Sequence, residues 1–174
     1  FLALLIAYED RRFRDHGGVD LRAGVRASLD LLRHGRIVSG ASTLTMQVAR
    51  LIDGARERTP GRKLREALRA LQIERRLGKD AILDLYLALA PYGGNLEGIR
   101  AASLAWFGRE PERLTLAQSA LLVALPQSPE TRRPDRYPEA ARRARDRVLD
   151  RAVRLGVVSA ADADLARREP VPTR

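Results

Sequence analysis

Three short clusters in this sequence carry residue types able to do chemistry. The first is Glu9-Asp10-Arg11-Arg12-Phe13-Arg14-Asp15-His16-Gly17. In a helix running through it, Glu9, Phe13 and His16 share a face. A carboxylate beside an aromatic ring is partly desolvated, which favours its neutral form and raises its pKa. Such a group suits a general base near neutral pH. The alternative is a solvated charged turn at a helix end. The second cluster is Gly40-Ala41-Ser42-Thr43-Leu44-Thr45-Met46-Gln47. Hydroxyls beside the N–H groups of a helix start suit a phosphate oxygen, and a plain Ser/Thr cap is the alternative. The third is Gly61-Arg62-Lys63-Leu64-Arg65-Glu66. Lys63 and Glu66 are neighbours on a helix surface. Two cations beside a carboxylate suit a diphosphate next to a reacting centre. A surface salt bridge worth about 0–1 kcal/mol is the alternative.

Together the clusters supply two carboxylates, a phosphate-type loop and a cationic helix face. These are the parts needed to transfer a sugar from a phosphate donor. His16 and His34 are too few for a metal site, and none is expected. No P-loop or dinucleotide fingerprint is present. Three Phe, four Tyr and one Trp are too sparse for an aromatic–basic surface that binds single-stranded nucleic acid. The net charge of +10 is carried almost wholly by Arg, because Lys63 and Lys79 are the only lysines. An anionic partner and a GC-rich genome both account for that balance. There is no cysteine, so disulfides and thiolate metal sites are excluded.

The elements that must position these clusters are helical. Apolar residues recur at helical spacing and no alternating strand pattern is found, which predicts an all-α fold. Expected helices cover Phe1 to the Glu9 region, Leu21–Leu32, a segment capped by Ser42 or Thr43 and carrying Met46, Val48 and Ile52, and Arg62–Leu77. The last has Leu64, Leu68 and Leu71 on one stripe. Further helices are expected at Lys79–Ala90, Glu97–Phe107, Thr115–Leu125, Pro138–Leu155 and Ser159–Arg168. Gly17-Gly18, His34-Gly35 and Gly78 are stops, Gly54–Gly61 is a charged loop, and Pro126–Pro138 is an ordered proline-rich loop. The 174 residues fit one domain over 1–168, with 169–174 as the start of a linker. The apolar opening Phe1–Ala7 is far shorter than the ~20 residues of a spanning helix. The chain reads as a fragment of something longer.

At this level of detail the sequence resembles a known family. Glu9-Asp10-x-x-Phe13-x-x-His16-x-Gly18 is similar to the first signature of the family 51 glycosyltransferases, the strand-polymerising domains of class A penicillin-binding proteins. Gly40-x-Ser42-Thr43-x-Thr45-x-Gln47 resembles the second signature, Arg62-Lys63-x-x-Glu66 the third and Lys79-x-x-Ile82-Leu83-x-x-Tyr86-Leu87 the fourth. Arg145-Asp146-x-Val148-Leu149 resembles the fifth more loosely. Met46-Gln47-Val48-Ala49-Arg50 and Ala90-Pro91-Tyr92-Gly93-Gly94-Asn95 resemble the 1C branch. Arg50 stands where many relatives have Lys, and Ala88 where the family usually has Asn.

The resemblance implies a lysozyme-like, mainly α fold with a large lobe and a small, mobile, membrane-facing jaw at roughly Gly17–Pro60. It implies a peptidoglycan glycosyltransferase at the periplasmic face of the bacterial inner membrane. That enzyme polymerises lipid II by inverting transfer from an undecaprenyl-diphosphate donor to the acceptor 4-hydroxyl. Glu9 is then the base and Glu66 a second catalytic carboxylate. Asp10, Phe13, His16, Ser42, Thr43, Thr45, Gln47, Arg50, Arg62 and Lys63 are expected to hold substrate. No cofactor is required, although a divalent cation on the substrate diphosphate is conceivable. The implied partners are lipid II, the growing glycan strand, the membrane surface and a covalent transpeptidase domain, with no nucleic acid. A glycan-cleaving lysozyme-like enzyme and an inactive lipid- or nucleic-acid-binding module are the competing readings.

Overall fold

The computed structural model describes residues 1–26, 42–54 and 59–173. Among these the regular structure is helical, as expected, with no strand and one isolated bridge between Pro91 and Glu97. The helices among the described residues are α1 (Leu2–Glu9), α2 (residues 21–26), α3 (Leu44–Ile52), α4 (Pro60–Glu74), α5 (Lys79–Leu89), α6 (Ile99–Phe107), α7 (Leu116–Ala124), α8 (Pro138–Arg154) and α9 (Ala160–Arg168). Short 3-10 turns cover Phe13–Asp15, Pro111–Arg113 and Leu125–Gln127. The end of the helix expected at Leu21–Leu32, the stop at His34-Gly35, and residues 55–58 of the charged loop lie outside the described residues.

Two compact units form. One combines Phe1–Arg11 with Leu87–Arg174, and the other is Arg12–Tyr86. In the first unit α7 is the core helix. Its Ala120, Leu121, Leu122, Val123 and Ala124 are all buried, so it is apolar on every side and must be surrounded. It packs against α1, α6, α8 and α9. A capping box fixes its start: the Thr115 hydroxyl accepts from the Gln118 N–H, and the Gln118 side chain accepts from the Thr115 N–H.

Helix α8 buries Ala141, Ala144, Val148, Leu149 and Ala152 at helical spacing, with Arg145 among them. The buried Arg145 guanidinium donates to Asp146 (2.9 Å), to the Arg167 carbonyl (2.9 Å) and to the Glu169 carbonyl. The Glu169 carboxylate also accepts from the Thr115 hydroxyl. Glu169, expected to open a linker, is thus tied to this unit by both its backbone and its side chain.

In the second unit α3 packs on α4. Thr43 is the N-cap of α3, its hydroxyl accepting from Met46 N–H. Thr59 caps α4, which begins at Pro60, earlier than the expected Arg62. The leucine stripe of α4 does not face a core: Leu64 is 63% and Leu68 55% exposed. The buried face carries Glu66 and Ala70 instead. The reason is a close backbone approach at Gly18, where a Cβ would lie 2.8 Å from the Ala70 carbonyl oxygen. Small residues at that crossing let the elements approach and turn the leucines outward.

Candidate active site

Glu9 ends α1. Asp10 leaves helical space at φ −155°, ψ 77°, and closes the last turn by donating its N–H to the Ile6 carbonyl. The helix therefore does not run on through the first cluster. The expected shared face of Glu9, Phe13 and His16 is not formed, because Phe13 belongs to a separate 3-10 turn that His16 closes.

Around Glu9 the first unit builds a polar relay. Gln127 Nε2 donates to Glu9 Oε1 at 2.7 Å. Arg132 Nη1 lies 3.2 Å from Gln127 Oε1 and donates to the Ala124 carbonyl at 2.7 Å. Burial lowers the Arg132 pKa while the Tyr8 and Glu9 charges raise it; the net shift is downward. Arginine nevertheless stays charged. Arg151 lies 5.6 Å from the Tyr8 ring centroid, a cation–π contact on the residue before Glu9. Asp10 is buried. Gln127 and Arg132 were not singled out from the sequence. They sit in the proline-rich segment, which has no periodicity to mark which side chains turn inward.

The second unit assembles the cations. Lys63 Nζ donates to Ser42 Oγ and lies 3.2 Å from Glu66 Oε2. A recess of about 500 Å³ is lined by Arg50, Arg62, Arg65 and Arg69, with Asp53 and Glu66 among the remaining walls. Arg62 and Lys63, expected as one adjacent pair, thus serve different places, since successive helix residues do not face the same way. Glu66 is common to both, because it bonds Lys63 and lines the recess. Arg65, Arg69 and Asp53 join it through α3–α4 packing; the helical spacing Arg62, Arg65, Arg69 was the available signal.

Other expected substrate contacts are spent on protein. Thr45 is fully buried and donates to Glu74 Oε1 at 2.6 Å. Thr43 caps α3 and donates to the Gly18 carbonyl at 2.6 Å. Phe13 is fully buried, with His16 edge-on at 6.4 Å between centroids and Lys79 Nζ at 4.4 Å. These three side chains present no surface to a ligand. His16 is half-buried, its Nδ1 accepting from the Gly18 N–H at 3.3 Å. Gln47 and Arg50 are half-buried on α3. Among the described residues no cluster of three or more His, Cys, Asp or Glu is arranged to hold a metal ion.

Comparison with known proteins states the class to which this helical chain belongs. The family model described as Transglycosylase matches residues 1–153, and the chain belongs to that family. It is 48% identical over 171 residues to penicillin-binding protein 1C of Escherichia coli, covering 98% of this chain and 22% of that protein. It is 38% identical to penicillin-binding protein 1A of Pseudomonas aeruginosa, covering 98% of this chain and 21% of that one. A protein of Cupriavidus necator that carries a transglycosylase name is 39% identical, across 98% of this chain and 73% of its own. The chain spans about a fifth of the length of the penicillin-binding relatives. The crystal structure of penicillin-binding protein 1A from Haemophilus influenzae aligns with a TM-score of 0.50 and 24% identity, over 74% of this chain and 16% of that chain. That likeness bears on the fold, which is the all-α, lysozyme-like one expected.

Proposed function

We propose that this chain is a peptidoglycan glycosyltransferase domain that polymerises lipid II into glycan strands. The Transglycosylase match over residues 1–153 carries the reading. Glu9 takes the proton from the acceptor 4-hydroxyl as that oxygen attacks the anomeric carbon of the growing chain. The α-linked undecaprenyl diphosphate leaves and the new bond is β, so configuration inverts. A positioned base contributes about 10²–10⁴ in rate. The departing diphosphate carries charge that cations must balance, and Lys63, Arg50 and Arg62 are the side chains suited to that part. Glu66, bonded to Lys63, orients those cations.

No resident metal is needed for these steps, and a divalent cation would arrive on the substrate diphosphate. The exposed leucines of α4 support contact with a membrane surface. No helix among the described residues is long and apolar enough to cross a membrane. In a full-length protein of the penicillin-binding type, the domain works at the periplasmic face of the inner membrane beside a transpeptidase domain.

The test is a gel assay with purified protein and lipid II. Wild type is expected to lengthen strands and Glu9→Gln to lose at least about 100-fold in rate while binding lipid II. Shortening of preformed glycan, or wild-type polymerisation by Glu9→Gln, overturns the reading.

A further inference from the structure

The relay on Glu9 has a defined direction. The two ends of a glutamine amide are usually ambiguous, and their assignment rests on the partners. Here the partner decides, because a guanidinium only donates. Arg132 is anchored on the Ala124 carbonyl at 2.7 Å and reaches Gln127 at 3.2 Å. The amide oxygen must therefore face Arg132, which leaves the amide N–H to face Glu9 at 2.7 Å. Turned the other way, Gln127 would set its oxygen against the carboxylate and its NH2 against a cation.

We infer that Gln127, held in one orientation by Arg132, is a positioning residue for Glu9. The inference rests on Glu9 being the base. The amide fixes the plane of the carboxyl group and, by donating to it, favours the charged form that accepts a proton. Gln127 is exposed at the end of its 3-10 turn, so the fold does not depend on its side chain. α7, which packs on α1 and carries the turn, contributes no titratable group; α8 contributes Arg147, whose charge acts on Arg132, and Arg151 on Tyr8. These arginines stay protonated throughout, so they do not themselves shape the acid limb of a rate profile.

The experiment is steady-state lipid II polymerisation against pH for wild type, Gln127→Leu, Gln127→Glu, Arg132→Met and Glu9→Gln. Gln127→Leu is expected to lower kcat about tenfold with KM within about twofold, and to raise the acid limb of kcat by roughly half to one pH unit. Gln127→Glu raises that limb further, because two neighbouring carboxylates resist ionising together. Arg132→Met releases the amide and moves kcat in the same direction as Gln127→Leu, by less. An unchanged kcat and acid limb in Gln127→Leu, with Glu9→Gln inactive, overturns the positioning role and leaves the base in place. A rise in KM alone overturns it in favour of substrate binding by Gln127. Full turnover by Glu9→Gln removes the base, and the positioning role with it.

Discussion

The Lys79 ammonium lies 4.4 Å from the centroid of the Phe13 ring, and the same nitrogen donates to the His16 carbonyl at 2.6 Å and to Glu74 at 2.7 Å. One side chain thus ties the first cluster to the start of α5 and the end of α4. Its pair with Glu74 is largely shielded from water, at 19% and 10% exposure, and Glu74 in turn holds Thr45. Removing one member leaves the other's charge unpaired. Lys79→Met is expected to cost roughly 2 kcal/mol, or about 4–8 °C in Tm. Thermal unfolding checks this. An unchanged Tm with lost turnover would reassign Lys79 to substrate.

Lys63 is expected to behave in the opposite way. Its side chain is exposed, and its pair with Glu66 is of the surface kind, worth under about 1 kcal/mol. Lys63→Ala is expected to leave Tm within about 3 °C. If its charge meets the substrate diphosphate, turnover falls about 100-fold. Calorimetry and the polymerisation assay on one preparation separate the outcomes. A large loss of Tm with normal turnover would make Lys63 a structural residue.

Helix content and type were legible because apolar spacing reports them directly. α8, with Ala141, Ala144, Val148 and Leu149 at helical intervals, and α7, capped at Thr115, fall where the pattern puts them. The orientation of α4 was not legible. Its leucines form a regular stripe, yet Gly18 against the Ala70 carbonyl decides which side is buried, and that contact joins residues far apart in sequence. The site divides in the same way. Residue types marked Glu9, Lys63 and Glu66, but periodicity says nothing about a loop, so the Gln127–Arg132 relay stayed hidden. The helix break at Asp10 was hidden too, because no glycine or proline announces it.

Acid should weaken the second unit at Asp20. Burial pushes this carboxyl's pKa up, but hydrogen bonds from Arg12 and the Ala23 N–H, with the Arg12 and His16 charges, hold it below the ordinary value of 3.8. A depressed folded-state pKa adds stability that is present above the unfolded value and lost as pH falls through the folded one. Asp20→Asn is therefore expected to be less stable than wild type by about 1–2 kcal/mol near pH 7. That gap should close as pH drops below about 4. Urea denaturation between pH 2 and 7 measures it, and a constant gap across the range would show that the Asp20 charge contributes nothing.

The adjacent glycines of the first cluster separate backbone strain from open space. Gly18 has φ +97°, and an added Cβ would meet the Ala70 carbonyl oxygen at 2.8 Å. The obstacle is backbone in the middle of α4, which cannot swing aside as a side chain can. Gly17 has nothing within 4 Å of its Cβ position. Gly18→Ala is expected to cost about 2–4 kcal/mol, combining an unfavourable φ with overpacking. Gly17→Ala should be neutral, or stabilising by a few tenths of a kcal/mol to about 1 kcal/mol through a less flexible unfolded chain. Chemical denaturation of the two variants side by side checks the contrast. Equal losses at both positions would mean that α4 does not press on Gly18, and the outward turn of Leu64 and Leu68 would need another cause.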